Sequence, residues 1–79
     1  MKIFLVVDEH CFDYIEERHL TAFSDIEDAL KEMDKIKENF KSMRDKFFIE
    51  YMDGMTLSAY SMENGKDYID AFINEMEVK

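Results

Sequence analysis

Proline is absent from this chain, glycine occurs only twice and cysteine once. Without proline, and with so little glycine, there is no flexible linker or low-complexity segment, so a few regular elements joined by short turns are expected. A lone Cys11 excludes an intramolecular disulfide, and nothing else argues for an oxidising compartment. Long apolar runs are also missing: none approaches the ~20 residues that cross a bilayer as a helix. The run Ile3-Phe4-Leu5-Val6-Val7 has one basic residue before it and meets Asp8-Glu9-His10 instead of small cleavage-site residues, so it does not read as a secretory signal. The chain reads as cytoplasmic.

Basic residues are scarce as well. Ten Lys and Arg against nineteen Asp and Glu leave a net charge of −9, above the roughly 2 to 8 usual for a small soluble domain. The excess is uneven. Residues 1–30 carry eight acids against two bases, residues 47–79 seven against two, and residues 31–46 four against six. Seven Phe, four Tyr and seven Met supply apolar material, so this is not a disordered acidic tail. Seventy-nine residues are expected to form a single domain, 1–79. A core of that size yields only about 3–5 kcal/mol, which leaves self-association open as a source of further burial.

Residues 2–9 form a β-branched, apolar run with the pattern of a strand covered on both faces. Arg18–Phe23 reads as a second strand, and the charged stretch Asp13–Glu17 turns the chain between them. The clearest element is a helix of about 20 residues, roughly 30 Å long. Ser24 and Glu27 have capping-box spacing. Acids lead, with Asp25, Glu27 and Asp28, and Lys41, Arg44 and Lys46 close it, the order the helix dipole favours. Ile26, Ala29, Met33, Ile36, Phe40, Met43 and Phe47 recur at three- and four-residue steps as one apolar stripe, and Glu27–Lys31 adds an i,i+4 pair. Residues 46–52 read as the frayed helix end, with a short strand as the alternative. Asp53-Gly54 marks a turn, residues 55–62 a strand, and Asn64-Gly65 a hairpin. In the last segment Ile69, Phe72, Ile73 and Met76 have helical spacing, whereas Glu75–Val78 alternate; a strand is preferred because strand 55–62 needs a partner. The expected fold is α+β, ordered ββαββ: a four-stranded antiparallel sheet with one long helix on one face, the last segment being helical in the alternative.

Catalytic motifs are lacking. Asp8, His10, Cys11 and His19 are the only metal-like group; with the first hairpin pairing residues that sum to about 29, His10 and His19 face each other. No CxxC, HExxH or calcium-loop pattern supports a metal, so metal and cofactor are both expected to be absent. Cys11 and His10 are neighbours on a strand and point to opposite faces, which leaves His19 as the one base within reach, and Cys11 reads as a buried structural thiol rather than a nucleophile. No glycine-rich phosphate loop or basic aromatic stripe is present, and neither an enzyme nor a direct nucleic-acid binder is expected. The acidic strands and hairpin ends do interleave with aromatics. Asp8, Glu9, Asp13, Tyr14, Glu16 and Glu17 lie on one side, with Glu63, Asp67, Tyr68 and Asp70, followed by Glu75 and Glu77, on the other. Such a surface suits docking into a basic groove, where carboxylates stand in for phosphates.

The opening MKIFLVVDE strand, the TAFSDIEDALKEM strand-to-helix junction and the closing DYIDAFINEMEVK segment resemble, in pattern, small acidic proteins of phages and mobile elements. The resemblance carries no catalytic motif and transfers no site residue. What it implies is an inhibitor of host defence enzymes, of the anti-CRISPR, anti-restriction or DNA-glycosylase-inhibitor kind, acting in the host cytoplasm. The expected partner is therefore a host protein with a basic nucleic-acid-binding surface, with no membrane involved. The alternative is a homodimeric interaction module using Phe40, Met43, Phe47 or Phe48.

Overall fold

In the computed structural model, which describes residues 1–63 and 65–78, β1 (Lys2–Phe12) and β2 (Ile15–Phe23) form a hairpin. Helix α1 (Ile26–Lys41) and one 3₁₀ turn (Arg44–Lys46) follow, then β3 (Phe47–Met52), β4 (Thr56–Ser61) and β5 (Tyr68–Glu77). All pairings are antiparallel, in the order β2-β1-β5-β4-β3. The architecture is α+β with one helix, but the sheet has five strands where four were expected.

The additional strand is β3. Phe47 continues the helical stripe in sequence, yet the helix stops at Lys41 and Phe47 enters the same core from the sheet. Adjacent aromatic and β-branched residues in FFIEYM favour an extended chain, and pairing Phe47–Met52 with β4 satisfies backbone groups that a frayed helix would leave open. The last segment is a strand, inserted between β1 and β4. Its helical spacing is superseded because Ile69, Ala71 and Ile73 alternate into the core.

Helix capping also differs from the expectation. Asp25, in an extended conformation, accepts from the Glu27 amide at 2.9 Å, so the cap is one residue later than Ser24. Ion pairs along the helix are the i,i+3 pairs Glu32–Lys35, Asp34–Lys37 and Glu38–Lys41, and Glu27–Lys31 is not among those within 4 Å among the described residues.

Ala29, Met33, Ile36 and Phe40 press the helix onto Val6, Leu57, Ala59, Ile69, Ala71 and Ile73 of the sheet. Phe47 meets Phe40 edge-on at 5.4 Å and Phe12 at 6.0 Å between ring centroids. Because side chains alternate along each strand, the opposite sheet face carries Leu5, Val7, Leu20, Phe72, Tyr68, Tyr60 and Phe48. No helix of the described residues lies on that face, and none is long and apolar enough to cross a membrane.

Candidate functional site

Residues 13 and 14 set the geometry of the acidic region. Both have positive φ, 54° at Asp13 and 67° at Tyr14, which makes a two-residue hairpin turn whose twist matches the strands. Aspartate tolerates this conformation, whereas a tyrosine there is strained. The turn therefore spans two residues, not the five from Asp13 to Glu17.

Contacts from a distant loop hold the tip. The Asp13 amide donates to Asp67 Oδ1 at 3.2 Å, across 54 residues of sequence, and Lys66 Nζ lies 5.4 Å from the centre of the Tyr14 ring. Asp67 belongs to the β4–β5 connection, where Ser61 donates its amide to the Asp67 carbonyl at 2.8 Å. Gly65, at φ 66°, donates to the Ser61 carbonyl at 3.1 Å. The Asn64 half of the expected Asn-Gly hairpin lies outside the described residues. Glu63, whose amide donates to the buried Ser61 hydroxyl oxygen at 3.2 Å, completes this end with Asp13, Tyr14 and Asp67.

Four more of the expected residues lie next to it on the open sheet face. Cys11 stands between Glu16 and Tyr68, and Glu9 between Arg18 and Asp70. Glu9, Glu16, Glu17, Arg18 and Tyr68 border a shallow concavity of about 350 Å³. Arg18 Nε is 2.9 Å from Glu9 Oε1 and offsets one of the carboxylates. Burial first, then Glu16, the Cys11 thiol, Glu9 and Asp70, holds the Tyr68 phenol above its ordinary range. It therefore stays a neutral hydroxyl, able to donate amid acceptors.

Asp8 and Glu17 point to the helix side of the sheet and pair with histidines, Glu17 also reaching the rim of that concavity at the sheet edge. Glu75 and Glu77 are at the far end, beside Lys2 and the N-terminal ammonium. The carboxylates are thus divided between two ends and two faces. The hairpin register sums to 27, pairing His10 with Glu17 and Asp8 with His19, so the histidines are diagonal and not opposed. Both face the helix side, whereas buried Cys11 faces the other, and His19 is no more a base for the thiol than His10 is.

Lys66 was not anticipated as part of this region. Its contact with Tyr14 depends on two loops meeting, for which the sequence has no local signal. No protein-family model, curated protein or solved structure matches the chain.

Proposed function

We propose that this chain is a non-enzymatic binding protein of phage-inhibitor type. In this reading its acidic end occupies the basic nucleic-acid-binding surface of a host defence or DNA-processing protein in the host cytoplasm. The observation that carries it is the tie between the Asp13 amide and Asp67, which gathers Asp13, Tyr14, Glu63 and Asp67 beside Glu9, Glu16, Tyr68 and Asp70. Carboxylates fixed on strands and a braced turn lose little freedom on docking. Their field steers a cationic partner, and the exposed Tyr14 ring offers apolar contact at the hairpin tip.

The test is capture from host lysate at low salt, followed by release with heparin or duplex DNA. Glu16→Lys with Glu63→Lys should abolish capture without unfolding the chain, because both residues are exposed. Capture that survives the double reversal, or that polyanions do not compete, would contradict the reading.

A second reading is favoured by the open face. Phe40 and Phe47 are buried in the core and Met43 packs against it, so of the dimer residues expected from sequence only Phe48 is available. Leu5, Leu20, Ala22 and Phe72, around the buried Val7, form a charge-free half of that face. Five strands about 4.8 Å apart make a face of roughly 600 Å², so the charge-free half offers about 300 Å², well short of the ~800 Å² per partner of a stable interface and suited to weak stacking. Leu20→Glu, placed on an exposed strand, would keep the chain monomeric in sedimentation if two copies stack there.

A further inference from the structure

The first hairpin carries a second cluster that the acidic end does not use. On the helix side of the sheet, His10 Nδ1 lies 3.1 Å from Asp8 Oδ1, and His10 Nε2 lies 3.3 Å from Glu17 Oε2. His19 Nε2 is 3.2 Å from the same Glu17 oxygen. A neutral imidazole has a single N–H. The two ring nitrogens of His10 thus lie between carboxylate oxygens of Asp8 and Glu17, and on the Glu17 side the gap can be filled by a proton or by a metal cation.

We propose that His10, Glu17 and His19 bind one first-row divalent cation of the Zn²⁺ or Ni²⁺ class. Bonds of about 2.0–2.1 Å to a tetrahedral ion place its ligand atoms about 3.3 Å apart. Two of the three edges already have that length, at 3.3 and 3.2 Å, and all three donor atoms lie within 4.8 Å of one another. Rotation of the exposed His19 ring closes the third edge. Asp8 is the positioning residue: it fixes the His10 tautomer and aims Nε2, the arrangement typical of metal-bound histidine. Phe12, stacked on His10 at 4.9 Å, holds the ring from another side. Two imidazoles and one carboxylate suit Zn²⁺, Ni²⁺ or Cu²⁺ over Mg²⁺ and Ca²⁺, and leave coordination positions open to water. The net charge of −9 favours cation binding further.

The test uses the whole chain at pH 7.5, with ZnCl₂ and NiCl₂ as probes in calorimetry and thermal melts. One ion should bind per chain and raise Tm by about 10–20 °C at a hundredfold excess over Kd, with no such shift for Mg²⁺ or Ca²⁺. His19→Gln, on a side chain 63% exposed, leaves the fold unchanged and should weaken binding at least tenfold. Asp8→Asn should weaken it 10- to 100-fold, as loss of an orienting carboxylate does. Absence of saturable Zn²⁺ and Ni²⁺ binding, with a ¹⁵N spectrum showing doubly protonated His10, would mean that a proton fills the gap and would overturn the proposal. Equal affinity in His19→Gln would overturn it too, by showing that carboxylates elsewhere hold the ion.

Discussion

Tyr14 occupies a backbone conformation that glycine adopts freely and tyrosine does not, at φ 67° on a tip where its side chain is 75% exposed. Local physics therefore favours Asp-Gly over Asp-Tyr here. Tyr14→Gly removes a strain of about 1–2 kcal/mol and forfeits a cation–π contact with Lys66 of about 0.5–1 kcal/mol. The variant should melt a few degrees higher. If the ring is an anchor of the acidic end, the same change should weaken partner capture, so that stability and binding move in opposite directions. A variant that binds as well as the native chain would remove Tyr14 from the interface. At Glu17, hydrogen bonds from His19, opposed by some desolvation and aided by His10, hold the carboxyl below its ordinary range. A carboxyl depressed in the folded state stabilises above its unfolded pKa, and that contribution is lost as pH falls through the lower, folded value. Glu17→Gln should accordingly flatten the acid limb of a Tm-against-pH curve below about pH 4.5. An unchanged limb would show that the pair of histidines does not hold this carboxylate.

At the scale of elements, the helix start separates two capping assignments. Asp25→Ala should cost about 1 kcal/mol and Ser24→Ala close to nothing; urea titration of the two variants would read the difference, and the reverse order would restore the capping box. Met33 is fully buried between helix and sheet. Met33→Ala should cost about 2–5 kcal/mol, which is comparable with all the stability a domain of this size possesses, so circular dichroism should find it largely unfolded. The stripe from Ile26 to Met43 was legible because it is local, repeating within one element. Likewise β1 and β4 follow from apolar runs bounded by polar turns, whereas β5 is preferred over a helix only because β4 needs a partner, and β2 rests on its place between the first strand and the helix start. The extent of the helix was not legible, because Phe47 satisfies both the helical spacing and the alternation of β3. Only its partner Ser61 on β4 decides between them. The same limit hid the acidic end. Asp13 and Asp67 are distant in sequence, and the one-residue change of turn position that pairs His10 with Glu17 reverses no face but shifts every partner. Separating Asp8 and Glu17 from the other acids required that register.

Over the whole molecule, the same charge has two effects with opposite salt dependence. The principal extents are 44 × 20 × 17 Å, and the net charge is −9. The Debye length is about 30 Å at 0.01 M salt and about 8 Å at 0.15 M. At low salt the carboxylates at the two ends repel each other through most of the molecule; at physiological salt each end is screened from the other. The exposed pairs Lys2–Glu75 and Arg18–Glu9 lose little on screening, since such pairs contribute little. Self-repulsion is the larger effect, so Tm of the isolated chain should rise between 0.01 and 0.15 M NaCl. Association with a cationic partner should weaken over the same range, because there the charge attracts. Stacking of two open faces would behave in the third way: two copies of net charge −9 repel, and salt would strengthen their association. Melting and sedimentation across one salt series, repeated with a captured partner, therefore separate the readings by sign. A chain that melts higher in salt, stays monomeric and releases its partner uses its acidity for binding. One that dimerises as salt rises uses the apolar face instead, with the acidity opposing association.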